Sequence, residues 1–392
     1  MKLTVPTNWQ DDLVARIKRP QVDTVFGKLR EDFVGGGRPS LALPGITKAK
    51  VAAHIKAIHG QGMKFHYLLN SSCLGNREVT RSGQNRITKL LSWLAEINVD
   101  GIVVTIPYLL ELAKRRYPKF KFSVSCFANV NSVEKAKFWE GLGASVITLS
   151  LVEANRNFRL LEKIRKSVAC ELQLIVNEIC IQDCPMYFYH NNTTSHSSQQ
   201  VSGNNPFMID YCRLICKYRR IANPINFIRA AWIRPEDLTV YENVGIDRFK
   251  LVDRCMNTDA IALAVEAYSN RSYPGNLNDL FSNASKNLWI KKSGFLHKFK
   301  YFMHPFAINI FKMFKHRGIV RDTLVYIDNS KLDGFIDHFL NEDCRYKSCK
   351  DCGYCQKFAD SAVKLDPEFR KQAIKQYEDL IEQTVSGDIF KY

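Results

Sequence analysis

Eight of the twelve cysteines in this chain fall into two sets of four whose spacing suits metal ligation. The first set is Cys180 and Cys184 with Cys212 and Cys216, two C-x3-C pairs separated by a 27-residue loop. The second is Cys344, Cys349, Cys352 and Cys355, in the run CRYKSCKDCGYC. Four thiolates brought together complete the shell of a cubane iron–sulfur cluster or of one structural zinc. If DYCRLICKYR is helical, Cys212 and Cys216 lie one turn apart on one face and can ligate together. Pro185 directly after Cys184 matches the Cys-Pro step of cubane ligand runs. In the second set, the tight C-x2-C-x2-C core suits a cubane better than a zinc ribbon with two separated pairs. Both sets are read as [4Fe–4S] ligands; zinc and unliganded buried thiols are the alternatives that spacing leaves open. The C-x3-C-x2-C motif of radical S-adenosylmethionine enzymes is excluded, because Tyr187 stands where its third cysteine belongs. Cys73, Cys126, Cys170 and Cys255 have no pattern and read as small buried hydrophobes.

The elements that must position these thiols are legible in the first two thirds of the chain. Short β-rich runs at 2–5, 22–27, 64–69, 101–106, 121–126, 145–149, 171–176 and 248–252 alternate with amphipathic segments such as 47–61, 84–97 and 132–142. Repeated strand–helix alternation implies a parallel sheet with crossover helices. Eight units fit an α/β fold of the closed (β/α)8 TIM-like type better than an open doubly wound sheet. The expected organisation is a barrel over 1–282 with a cluster-binding insertion at 179–229. A basic linker and a small C-terminal cysteine-rich extension over 283–392 follow. Within the insertion, HNNTTSHSSQQVSGNN is expected to be a loop. A short strand is expected at 323–328 and a helix at 367–385.

Polar residues at expected strand ends share the barrel mouth, where barrel active sites are built. They include Asn70, Ser71, Asn129, Asn177, Glu178, Asp253 and Arg254. FVGGGRPS brings three glycines and Arg38 to the same end, as a backbone anion cradle or simply a tight turn. His190 and His196 on the insertion are acid/base candidates or loop anchors. Between residues 289 and 317 the chain is basic and aromatic, which suits a membrane surface, RNA, or a packed linker with solvated lysines.

Composition sets the bounds. A hydrophobic content of 46% with 24% charged residues is that of a globular protein. No apolar run is long enough to span a bilayer, and no signal-peptide layout opens the chain. Twelve cysteines without an export signal point to reduced thiols, metal and a cytoplasmic location. A formal charge of +17 favours anionic partners, whether RNA or phosphorylated and carboxylate small molecules.

Three runs, VGGGRPS, LQLIVNEICIQDCPMYFYHNNTTSH and WIRPEDLTVYENVGIDRFKLVDR, together resemble the collagenase-like peptidase family, peptidase family U32, over roughly residues 1–280. The resemblance implies a barrel with a four-cysteine cubane at its mouth. It also implies a choice of activities, since branches of the family are oxygen-independent hydroxylases that use prephenate as oxygen donor. KLVDR at 250–254 is similar to the family's final-strand KIEGR segment, with Asp253 where glycine is usual. CRYKSCKDCGYC lies outside the shared region and suggests an added electron-transfer cluster or a substrate-docking module.

The expected function is thus an iron–sulfur hydroxylase or transferase acting with an anionic co-substrate such as prephenate. Glu178, His190 and Asp253 are the candidate catalytic groups, able to move protons. Arg38, Asn70, Asn177, Arg234 and Arg254 are the candidate substrate-binding residues, the arginines because guanidinium matches carboxylate geometry. The eight paired cysteines are the metal ligands, and an electron donor is a further expected partner. A peptidase or peptide-modifying enzyme is the alternative, with an RNA-binding or electron-relay protein as a third reading.

Overall fold

A computed structural model describes residues 1–200, 209–281, 308–316, 324–344 and 347–392. Eight parallel strands close into a barrel: β1 (Lys2–Pro6), β2 (Val22–Gly27), β3 (Lys64–Leu69), β4 (Gly101–Val104), β5 (Lys121–Val124), β6 (Val146–Thr148), β7 (Glu171–Ile175) and β8 (Arg248–Lys250). Closure is made by β1, which pairs Leu3 with Val22 of β2 on one side and Lys2 with Arg248 of β8 on the other. The closed barrel expected from the alternation is what the chain forms, and the open sheet is not.

Longer helices cover the barrel: α1 (Lys48–Gly60), α2 (Arg81–Glu96), α3 (Pro107–Arg116), α4 (Val133–Leu142), α5 (Phe158–Ser167), α6 (Tyr187–His196), α7 (Tyr211–Ala222) and α8 (Thr258–Asn270). Side chains at their starts take up backbone donors that the first turn leaves open. Thr47 caps α1, Thr80 α2, Ser132 α4, Asn157 α5, Asp210 α7 and Asn257 α8.

Strand residues that point outward, such as Leu3, Tyr67 and Phe249, join the core under the helices. The inward layer nearest the strand starts is polar. Gln173 bridges Thr4 and Thr148, and Arg248 takes Asp23 in a two-pronged ion pair at 2.8 and 2.9 Å. His66 lies in this layer too, and burial pulls its imidazole down to about 4, so it is neutral there. Gly101 makes room for it: a Cβ at that position would sit 2.8 Å from His66 Nε2. Nearer the strand ends the interior turns apolar, with Phe26, Leu68, Val103, Ile175 and Val252.

One expectation fails in the insertion. The stretch beginning at His190 was expected to be a loop, yet α6 runs through it to His196. Its polar side chains serve the helix and its neighbours. Thr193 and Thr194 return their hydroxyls to the His190 carbonyl, and Ser195 accepts the Ser72 N–H at 2.9 Å. Tertiary hydrogen bonding overrides the weak helix propensity of Asn, Ser and Thr. Residues 201–208 of the same stretch lie outside the described residues.

Beyond the barrel, β9 (Val325–Ile327) pairs antiparallel with β10 (Val363–Leu365). The helices α9 (Tyr354–Ala362) and α10 (Pro367–Val385) complete the described chain, with α10 where the sequence places it. Much of the basic aromatic stretch, 289–307 and 317, falls outside the described residues; within it Ile310–Lys315 is helical. The described C-terminal residues share the barrel's core. Phe335 packs on Trp232 at 5.6 Å, and α10 lies along α7. Among the described residues, no helix is long and apolar enough to cross a membrane.

Candidate functional site

At the strand ends a cavity of about 630 Å³ opens between the barrel mouth, α6, α7 and α10. Its wall holds all four thiols of the first set. Cys180 and Cys184 follow β7, while Cys212 and Cys216 sit one turn apart on α7, as the helical reading required. Asp210 fixes the start of α7, accepting from Arg213 N at 2.9 Å, and its other oxygen meets His190 Nε2 at 3.1 Å. One turn past Cys216, Arg220 donates to its Sγ at 2.8 Å and to the Ile179 carbonyl at 3.2 Å.

Cys180, Cys184 and Cys212 are poorly suited to being free thiolates. Burial, then Glu178, Cys216 and Cys184, push the Cys180 thiol well above the usual range. Burial, Asp210, Cys184 and Cys216 push Cys212 up to about 12. Cys184 is raised as well, chiefly by burial. Thiols whose ionised forms repel one another and nearby carboxylates gain most from a shared cation. Among the described residues, no three His, Cys, Asp or Glu side chains converge closely enough to hold one metal ion. A cubane asks for a wider shell than zinc, because each sulfur binds a different iron.

Beside the thiols, Arg38 bridges two carboxylates from different strand ends. Its Nε donates to Asp253 at 2.5 Å, its Nη2 to Glu178 at 2.8 Å, and its Nη1 to the Gly37 carbonyl at 3.1 Å. Burial opposes charge in this cluster, but the attraction wins. The Arg38 pKa is held well above its ordinary value, and Asp253 below that of a free carboxyl. The sequence offered Arg38 as a substrate fork; here all three of its nitrogens are engaged within the protein.

The glycine loop is not an anion cradle either. Gly35 N donates to Asp32 at 2.6 Å and Gly36 N to Ser198 at 2.8 Å, so those donors are consumed internally. Glycine is needed at position 36 for space, since a Cβ would lie 2.8 Å from Asn70 Oδ1.

Of the other expected residues, Asn70, His190 and Arg254 line the cavity with Glu178 and Asp253. Asn177 and Arg234 do not. Asn177 is fully buried and clamps strand ends, accepting from Val252 N at 2.8 Å and donating to the Val252 and Leu280 carbonyls. Arg234 is held on the barrel's flank by Asp237 and, at 3.0 Å, by Asp333. Neither is placed to touch a molecule in the cavity.

Sequence reasoning missed Lys250 and the cavity's roof. Lys250 lies on the inner face of β8, and its ammonium sits 4.1 Å from the Phe26 ring. Arg254 Nη1, which lines the same cavity, is buried without a partner among the described residues. Burial, with Arg254 contributing, pulls the Lys250 ammonium down to about 8. Strand alternation within the expected 248–252 run already put Lys250 on the same face as Arg248 and Val252. The roof is Met313, His316, Tyr377 and Leu380, supplied by the C-terminal third. The second cysteine set lies outside this cavity.

A family model described as peptidase family U32 matches residues 41–273. An uncharacterized protease of Methanocaldococcus jannaschii is 31% identical over 334 residues, which cover 85% of this chain and 87% of that protein. The solved structure of a U32 peptidase is 24% identical with a TM-score of 0.49, covering 64% of this chain and 93% of that one. The chain belongs to peptidase family U32.

Proposed function

We propose that the cavity is the active site of an iron–sulfur enzyme, with Cys180, Cys184, Cys212 and Cys216 as cluster ligands and an organic anion as co-substrate. The observation that carries the reading is that four thiols, a carboxylate–arginine bridge, Lys250 and the unpartnered Nη1 of Arg254 line one cavity. A bound cluster would supply Lewis-acid or one-electron chemistry at the mouth. The reaction class is oxygen-independent hydroxylation or a related transfer, and prephenate is the co-substrate that the family resemblance implies.

The chain's own groups divide the remaining work. Lys250 and Arg254 offer charge and N–H donors to a carboxylate, replacing solvent in a mostly apolar cavity where such bonds are strong. Asn70, whose Oδ1 is unpaired, accepts from a hydroxyl of the same molecule. Asp253 is held ionised, so it and Arg38 act as a rigid frame rather than as a proton donor. His190, tethered by Asp210, carries protons at the opposite wall. Arg220 stabilises the Cys216 sulfur as a ligand.

A peptidase reading has the relative's name and the His190–Asp210 pair in its favour. A cysteine peptidase lowers the pKa of its nucleophile, whereas Cys180, Cys184 and Cys212 are all raised. Anaerobic purification followed by iron, sulfide and zinc analysis tests the choice. About four iron and four sulfide that disappear in C180A/C184A support the cluster; zinc without sulfide contradicts it. Turnover is then assayed anaerobically with prephenate.

A further inference from the structure

None of the second cysteine set lines the cavity. Cys349 and Cys352 occupy a single helical turn and are exposed, while Cys344 and Cys355 are half-buried against the core. Gly353, with φ +64°, reverses the chain between Cys352 and Cys355, and its N–H returns to the Cys349 carbonyl at 3.1 Å. The turn therefore folds the last three cysteines back toward one another. His338 closes one side, its Nε2 3.8 Å from Cys352 Sγ and its ring stacked on Tyr354 at 4.1 Å.

Beneath this set lies Arg156, 4% exposed. Its guanidinium is sandwiched against Trp232 and Phe335, at 4.4 and 4.8 Å. Its hydrogen bonds go to backbone carbonyls, Nη1 to Ile228 at 2.7 Å and Nη2 to Trp232 at 3.1 Å. Among the described residues no carboxylate bonds to it; Asp237 acts on it from a distance, and Cys355, Tyr241 and Cys344 are the other acidic groups within its electrostatic reach. A buried cation demands a counter-charge. Four thiolates around a metal centre, net negative whether iron–sulfur or zinc, supply one. The tight C-x2-C-x2-C spacing of Cys349, Cys352 and Cys355 suits a cubane better than a zinc ribbon.

We propose that Cys344, Cys349, Cys352 and Cys355 hold a second iron–sulfur cluster at the protein surface, from which electrons pass toward Cys180 through Arg156 and the 231–232 backbone. The path is short. Arg156 Nη2 bonds the Trp232 carbonyl, and the adjoining Ala231 N–H bonds the Cys180 carbonyl at 2.8 Å. A one-electron reductant protein outside the molecule loses one electron, the surface cluster gains it, and that cluster is reoxidised as the electron moves inward. No bond is made or broken. The second centre stands by itself; the route rests on the cluster reading of the cavity.

The test uses the full chain, purified anaerobically, with a reduced [4Fe–4S] ferredoxin as donor, a protein too large to enter the cavity. Cys349 and Cys352 are exposed, so replacing them leaves the core untouched. Wild type is expected to carry about eight iron, and C349A/C352A and C180A/C184A about four each. Reduction of the cluster left in C349A/C352A by ferredoxin should slow about tenfold or more, followed by visible bleaching and electron paramagnetic resonance. R156Q should keep both clusters and slow only the transfer between them. Iron unchanged in C349A/C352A, or zinc bound at its cysteines, overturns the second cluster while leaving the cavity reading intact. Iron unchanged in C180A/C184A does the reverse, and equal reduction rates in all forms overturn the route.

Discussion

The two cysteine sets are alike in composition and opposite in setting. The first lines an interior cavity, shares it with ionised side chains from several strand ends, and is roofed by α10. The second sits at the surface with two thiols exposed, backed by aromatic rings and one buried cation. The difference teaches that ligand count says little about role. What surrounds the ligands decides it: room and polar groups in one case, an exposed position outside any such cavity in the other.

The largest expected contrast comes from removing each set. C180A/C212A should abolish turnover with the proposed co-substrate and remove about four iron. C349A/C352A should lose a similar amount of iron yet keep turnover when the cavity cluster is reduced chemically. Equal loss of turnover in both would erase the distinction between the sets.

Next comes the frame that only the first set possesses. R38A leaves Glu178 and Asp253 without their shared cation, and breaking such a pair costs about 3 kcal/mol of stability. Urea titration with two-state analysis measures it. The K347A change beside the second set removes only an exposed ion pair with Glu342 and should leave the midpoint where it is.

Substrate charge gives a third, smaller contrast. K250M should weaken binding of a carboxylate probe about tenfold in calorimetry, consistent with a charge-assisted hydrogen bond of about 1.5 kcal/mol. The pH dependence follows from the direction of the shift. Cys126 and Arg254 face the Lys250 ammonium alongside the Phe26 ring, and it titrates near 8 when the cavity holds no anion. A bound carboxylate raises that value. The charge contribution is then complete below about pH 8 and fades as the pH climbs through the raised value. Flat affinity from pH 7 to 10 would remove Lys250 from the site. Smallest of all, H338A should keep its iron and alter only the resonance signal of the surface cluster.

Much of this was legible in the sequence, for identifiable reasons. Strand runs buried on both faces announce themselves by composition, so seven of the eight barrel strands fall within the expected segments and β1 exceeds its segment by one residue, Pro6. Cys212 and Cys216 at i, i+4 required a helix, and α7 supplies it. The failures are tertiary. Nothing local in the sequence pairs Arg234 with Asp333, 99 residues later, or sends the Gly36 N–H to Ser198. The helix through His190–His196 is held by bonds to Ser72 and other distant partners, which propensity cannot see. The roof supplied by Tyr377 and Leu380 depends on α10 packing along α7. Lys250 was overlooked for a simpler reason. A lysine inside a strand run looks like a solvated side chain until the barrel closes around it.

The central claim is that the cavity thiols hold an iron–sulfur cluster, and Mössbauer spectroscopy of iron-57-enriched, anaerobically purified protein tests it most directly. The account predicts a cubane quadrupole doublet that is lost by about half, with matching sulfide, in C180A/C184A. A spectrum unchanged by that double substitution, or protein containing zinc and no sulfide, would contradict it.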